Sequence, residues 1–291
     1  MPPHSWKTGE ARVTRVLESE VPLPLTALLP EATPEALAPH AGWLASHFLN
    51  DDGTVSLAIQ ALVIESQGRR ILVDTCIGER DTPFTQAGDP NVFLGNLAAA
   101  GFSPEGIDVV LCTHMHFDHV GWNTRKQGDR FVPTFPNARY LFARVEYEHW
   151  KAMLDAGTGG DYVSSFTEAV QPVVDAGLAE LVETDHRIGD EVWLEATPGH
   201  TPGHVAVRIA SGGASALITG DLTHHPVQWA EPDWKMGADS DSAQAAATRR
   251  RLLAEHVGTS LLVIGTHYPA PTAGRLVRRG DGHAFEGIDG D

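Results

Sequence analysis

The run Thr113-His114-Met115-His116-Phe117-Asp118-His119 constrains this chain more than any other stretch of it. It sets four imidazole or carboxylate groups within six positions, directly after the apolar residues 108–112 (DVVLC), which read as a buried strand. Ligand sites in α/β folds collect on loops that leave the carboxyl ends of such strands. The density of donors is that of a metal site, since imidazole suits zinc and other first-row metals and a carboxylate adds charge compensation. A chain with 15 His in 291 residues does not place three of them and an Asp in this spacing by composition alone.

Three later segments repeat the order of strand, loop and donor. Residues 192–196 precede Thr197-Pro198-Gly199-His200, with His204 four residues on; residues 216–219 precede Gly220-Asp221; residues 261–264 precede Gly265-Thr266-His267. Each donor alone reads as a turn residue. Together with the first cluster they give seven ligands, His114, His116, Asp118, His119, His200, Asp221 and His267, enough for two metals.

These residues resemble the metallo-β-lactamase-fold hydrolases, whose HxHxDH motif is matched by His114, His116, Asp118 and His119. The resemblance runs from about Val55 to His267. It implies that one metal takes His114, His116 and His200 and a second takes Asp118, His119 and His267, with Asp221 and a hydroxide bridging them. It also implies an early strand-end Asp, here Asp74, and an α/β fold: a four-layer αββα sandwich with the site at one edge of the two sheets. Asp221 is present and neither Cys76 nor Cys112 holds a ligand position, which argues against antibiotic hydrolysis. Residues 220–229 and His267-Tyr268-Pro269 resemble the lactonase and methyl parathion hydrolase branch. Acyl-homoserine lactonases often carry a Tyr three residues after the bridging Asp; this chain has His224, which keeps phosphotriesters and aryl esters in play.

The chemistry so implied is that of a dinuclear hydrolase acting on a small apolar lactone or ester, with an organophosphate triesterase as the alternative. Paired divalent ions share a hydroxide and polarise a C=O or P=O bond. Zn2+ suits the donors best, and Mn2+, Co2+ or Fe2+ suit the same N/O set. Asp118 is the candidate proton carrier and His224 the candidate contact to the substrate oxygen or leaving group. Asp74 is expected to accept the free N–H of a ligand His, and His204, His225, His149, His186 and His256 to pack or lie at the surface. Trp43, Phe48, Trp122 and Trp229 are expected to wall an apolar pocket.

Composition narrows the partners. Lys+Arg 21 against Asp+Glu 38 leaves a net charge of −17, which repels nucleic acid and anionic membranes. A nuclease of the same superfamily is disfavoured on this ground, and so is a thioesterase resembling glyoxalase II, because the basic glutathione-binding C-terminal part that family carries is not recognisable in this sequence. Two cysteines make no disulfide framework. No apolar run reaches the roughly 18 residues of a membrane span, and residues 1–15 carry no secretory core, so a cytoplasmic protein is expected. With 42% hydrophobic residues and no low-complexity linker, the chain is read as one domain over residues 1–291, and by resemblance as a possible homodimer.

Strands are expected at residues 55–65 and 70–74, joined by a Ser66-Gln67-Gly68 hairpin turn, and at 108–112, 139–142, 192–196, 205–209, 216–219 and 261–264. Helices are expected at 92–100, 145–154, 166–176 and 242–256, the last with Asp239, Ser240 and Asp241 available as caps. Residues 18–52, with Pro22, Pro24, Pro30, Pro34 and Pro39, read as an arm or lid outside the sheets, with a short helix near residues 34–38.

Overall fold

The computed structural model describes residues 4–50, 52–80 and 91–291; residue 51 of the proline-rich segment lies outside them. In chain order the strands are β1 (Ser5–Thr8), β2 (Ala11–Pro24), β3 (Thr54–Ser66), β4 (Arg69–Val73), β5 (Val109–Leu111), β6 (Thr124–Gln127), β7 (Arg130–Pro133), β8 (Arg139–Ala143) and β9 (Ala179–Val182). They continue as β10 (Val192–Ala196), β11 (Val205–Ser211), β12 (Ala214–Ile218), β13 (Leu262–Ile264), β14 (Ala273–Arg279) and β15 (Gly282–Ile288). One sheet runs β1-β2-β3-β4-β5-β8-β9, a second runs β10-β11-β12-β13-β14-β15, and β6 with β7 forms a separate ribbon.

The period-two pattern of the strands explains how the sheets stack. Along β4, Ile71 and Val73 join one apolar cluster and Leu72 another; in β5 the same split separates Val109 and Leu111 from Val110. In the second sheet Ala216 and Ile218 part from Leu217, and Leu262 and Ile264 from Val263. The cluster shared by the two sheets is their common interior, and among the described residues no α-helical residue enters it. Leu72, Val110, Tyr140 and Leu217 turn the other way, into a cluster with helical residues such as Phe93, Leu97, Phe166 and Leu252. Strands apolar on both faces are what a sheet covered on both sides requires, and the architecture is the expected α/β sandwich.

The helices are α1 (Pro34–Leu37), α2 (Ala41–Leu44), α3 (Val92–Ala99), α4 (Phe117–Val120), α5 (Arg144–Asp155), α6 (Asp161–Ser165), α7 (Gln171–Asp175) and α8 (Ser242–His256). Of the three candidate caps for α8, Asp241 is the one used, accepting from Gln244 N at 2.9 Å. The helix expected at 166–176 is instead a π-helical turn, Phe166–Val170, that follows α6 and leads into α7, where Pro172 lacks the N–H for a regular turn. The β3–β4 turn needs left-handed backbone at both central residues, and Gln67 (φ 51°) and Gly68 (φ 75°) supply it.

The segment at 18–52 departs from its expected place. Residues 18–24 belong to β2 and pair with β3 as far as Pro24↔Thr54. Proline is tolerated because β1 pairs β2 only over residues 11–14, leaving one edge open beyond them. The remainder is no detached lid: Leu25, Leu29, Leu44 and Phe48 are buried in the main apolar cluster. His225 ties this segment down by donating from Nε2 to Phe48 O at 2.8 Å, while its Nδ1 accepts from Val227 N. Both cysteines are buried and unpaired, as expected. Among the described residues no helix is long and apolar enough to cross a membrane.

Burial lowers His225 to about 4, against the smaller opposing pull of the Phe48 carbonyl. The unfolded chain therefore takes up a proton near pH 6.5 that the folded chain refuses until about pH 4. Stability from the neutral ring is full above pH 6.5 and is lost as pH falls toward 4, by roughly 3 kcal/mol. Urea midpoints measured from pH 7 to 4 should fall less steeply in His225→Gln than in the wild type; parallel profiles would refute this.

Candidate metal centre

All seven sequence-predicted ligands meet at the carboxyl ends of parallel strands from the two sheets. β5 leads into His114, His116, Asp118 and His119, β10 into His200, β12 into Asp221 and β13 into His267. Parallel pairing of β4 with β5 and of β12 with β13 points these loops the same way. His114, His116, His200 and Asp221 form one group whose donor atoms lie within 4.8 Å of one another, and Asp118, His119 and His267 form a second.

Asp221 lies between the groups, and its Oδ2 also comes within 3.2 Å of His267 Nε2. Oδ2 lies 3.4 Å from His200 Nε2 and 3.7 Å from His114 Nε2, while Oδ1 lies 3.2 Å from His119 Nε2 and 3.1 Å from His267 Nε2. Within each group, imidazole nitrogens face each other: His200 Nε2 to His116 Nδ1 at 3.0 Å, and His119 Nε2 to His267 Nε2 at 3.2 Å. His114 Nε2 and Asp221 Oδ1 are buried with no hydrogen-bond partner. Convergent lone pairs of this kind are satisfied by cations, and the donor set fits two divalent ions.

The two groups differ in their electrostatics. Burial holds His114, His116 and His200 well below the ordinary imidazole range, so they are neutral, as ligands must be. Burial acts on His119 and His267 too, but nearby carboxylates, Asp221 foremost, outweigh it and raise both. Burial would lift Asp221, yet the surrounding imidazoles, led by His119 and His267, hold it well below the carboxylate range.

The outward nitrogens of His114, His119, His200 and His267 are occupied. Asp74 Oδ2 contacts His119 Nδ1 at 2.9 Å, as its strand-end position suggested, and its oxygens also accept from Thr113 N and Oγ1. Asp74 holds φ 60°, an unusual value for a non-glycine residue, fixed by this network. His267 Nδ1 meets Ala58 O at 2.8 Å and His114 Nδ1 meets Thr113 Oγ1 at 3.1 Å. His204 is not a ligand. Its Nδ1 lies 3.1 Å from Thr197 O and its Nε2 accepts from Asp221 N at 2.8 Å, so it holds the bridging residue by its backbone.

Sequence reasoning missed three buried carboxylates. Glu146, on α5, accepts from Met115 N and Gly203 N, both at 3.0 Å, joining two ligand loops, and from Trp150 Nε1 at 2.7 Å. Glu18 is the extra residue of a bulge in β2 between Leu17 and Ser19; it accepts from Ile77 N, Gly78 N and Trp122 Nε1. Burial raises the pKa of both, against these donors. Asp239 Oδ1 contacts His200 Nδ1 at 3.0 Å. No local motif marks any of the three.

A cavity opens over the cluster, lined by His116, Asp118, His200, Asp221, His224 and His267 and by Leu28, Leu57, Ile59, Phe117, Tyr162, Met236 and Ala238. His224 lies in it as expected, its Nε2 3.0 Å from Asp221 Oδ2. The four aromatics expected there are elsewhere. Trp122 donates to Glu18 and stacks on Phe93, and Trp229 donates to Tyr268 Oη at 2.9 Å. Trp43 packs edge-on to His40 and Phe48 to Phe285. A buried indole settles where its N–H finds an acceptor, and here the acceptors lie in the core.

A profile of the Metallo-beta-lactamase superfamily matches residues 56–267. An N-acyl homoserine lactonase of Bacillus cereus is 24% identical over 221 residues, spanning 69% of this chain and 78% of the relative. An N-acyl homoserine lactonase of a Bacillus species is 27% identical over 154 residues, 53% of each chain. A probable metallo-hydrolase of Mycobacterium tuberculosis is 25% identical, spanning 69% of this chain and 68% of the relative. Among solved structures, the dizinc quorum-quenching lactonase AidC, in complex with a product, superposes with a TM-score of 0.80 at 23% identity, covering 98% of this chain and 97% of that one. The hydrolase AbOPH, of the beta lactamase superfamily, gives 0.80 at 23%, covering 99% and 97%. These structures share the fold.

Gly220, at φ 54°, brings the chain past His204; a Cβ there would sit 2.6 Å from His204 Nε2. Gly220→Ala should displace the ring that holds Asp221 and lower bound metal below the wild-type stoichiometry, read by atomic emission after desalting. Full retention of metal would show that His204 does not set the position of Asp221.

Proposed function

Because this chain belongs to the metallo-beta-lactamase superfamily and is a metal-dependent hydrolase, we propose that it opens a neutral, apolar lactone or carboxylic ester. The observation that carries this reading is the cavity wall: Leu28, Leu57, Ile59, Phe117, Tyr162, Met236 and Ala238 face the donor cluster, with no Lys or Arg among the lining residues. An apolar wall beside a few polar groups selects a small neutral molecule. A phosphate monoester, a nucleic acid or a free carboxylate would find no cation from the chain, which weighs against the nuclease reading.

Two divalent ions, zinc by the preference of this N/O donor set, would be held by His114, His116 and His200 and by Asp118, His119 and His267 with Asp221 between them, supplying Lewis acidity and an activated water at neutral pH. The chain supplies position and proton transfer. Asp118, partly open to the cavity, takes the proton lost by the attacking water and returns it to the leaving oxygen. The acyl C–O bond to that oxygen breaks as the new C–O bond forms, and a lactone leaves as a hydroxy acid. His224, oriented by Asp221, borders the reacting group, and the apolar wall excludes water from the acyl side. The presence of His224 rather than a phenol at this position favours a second reading, a neutral aryl phosphotriester.

The deciding measurement is the pair of kcat/KM values, for an aliphatic acyl lactone and a dimethyl aryl phosphotriester, with zinc-loaded protein. A preference for the lactone of about a hundredfold or more, abolished by chelator, is expected. A preference for the phosphotriester would install the second reading, and inactivity on both would overturn the neutral-ester assignment. Asp118→Asn should lower kcat on the better substrate by about a hundredfold or more, with the thermal midpoint preserved; unchanged turnover would remove Asp118 from the proton path.

A further inference from the structure

His200 is held by a carboxylate from the same segment that builds part of the cavity wall. Asp239 Oδ1 lies 3.0 Å from His200 Nδ1, with both side chains sealed from solvent. A proton on Nδ1 leaves the lone pair on Nε2, the atom that faces His116 Nδ1 and Asp221 Oδ2. The segment grips the His200 loop twice more, through Ser240 N to His200 O and Asp241 N to Gly199 O, both 2.9 Å. The other oxygen of Asp239 accepts from Met236 N at 3.3 Å and faces Arg249 Nη1 at 3.9 Å.

Arg249 is a fully buried guanidinium on α8, and its N–H groups have no water to turn to. They go to Pro232 O, Leu222 O and Trp234 O at 2.8 to 3.1 Å, stapling the chain between Asp221 and Asp239 onto the helix. Gly237 N donates to Leu28 O, so the loop that carries Asp239 is also joined to the opposite wall residue Leu28. An uncompensated guanidinium at this depth would be costly, and Asp239 is the carboxylate that faces it.

We infer that Asp239, anchored by Arg249, is a positioning residue that fixes the tautomer and ring orientation of His200 for the metal site of His114, His116 and His200. The inference rests on the two-metal reading of the centre. Asp74 reaches the second site through His119 and the first through Thr113 and His114, whereas Asp239 bonds directly to His200, so the loss of Asp239 acts on the site that His200 serves.

The test titrates metal-stripped wild type and Asp239→Asn with Zn2+ against a chromophoric chelator. The wild type should bind two ions. Asp239→Asn should weaken one binding step by about ten- to a hundredfold and leave the other within about twofold. In the zinc-loaded wild type, nitrogen-resolved NMR should find the His200 ring proton on Nδ1, protected from exchange, a readout that needs no variant to fold. Two unchanged binding steps in the variant, equal weakening of both steps with a lowered thermal midpoint, or a His200 Nδ1 without a proton would each overturn the role of Asp239 while the two-metal reading stands. A wild type that binds fewer than two ions would overturn both.

Discussion

The structure is organised around one buried carboxylate, Asp221, which lies against imidazoles of both donor groups. Burying a charge is costly unless its partners are fixed in place. Each set comes from loops of both sheets, so the sheets must stack face to face in a fixed relative position for Asp221 to be shared. The core between the sheets, built from Val13, Leu62, Ile64, Leu111, Val207, Ile218 and Ile264, is what holds that position.

Around this centre the chain repeats a single device. A buried carboxylate gathers N–H groups from loops that are distant in sequence: Asp74 from Thr113 and His119, Glu146 from Met115 and Gly203, Glu18 from Ile77, Gly78 and Trp122. Each accepts several donors, which is what makes an ionised group tolerable at that depth. Acceptors of this kind leave the metal-side nitrogens with little freedom, and a preorganised set of ligands spends no binding energy on ordering itself.

The cavity follows from the same arrangement. Its polar floor is the cluster and its walls come from β3, from the segment after β2, from the loop before α8 and from α4 and α6, which supply aliphatic, thioether and aromatic groups without a cation. That contrast, charge confined to the floor and apolar surface on the sides, is the basis for reading the substrate as neutral.

The seven metal-facing residues were legible in the sequence because each is a short-range pattern: an apolar run that must be a strand, then a His or Asp on the loop that leaves it. Asp74 was legible through the family resemblance, which implies an early strand-end Asp. Trp43, Phe48, Trp122 and Trp229 were not, because an aromatic side chain is equally suited to pocket or core, and the choice fell to acceptors such as Glu18 and Tyr268, far off in sequence. The place of residues 18–24 in a strand was hidden by Pro22 and Pro24, which an edge left open by the short β1 accommodates. Glu18, Glu146 and Asp239 carry no local signature at all. The sequence by itself determined the donors and the strands that deliver them, since those depend on residue type and spacing; only tertiary packing decided which acidic groups orient them and which side chains face the substrate, since those depend on contacts across more than thirty residues of chain.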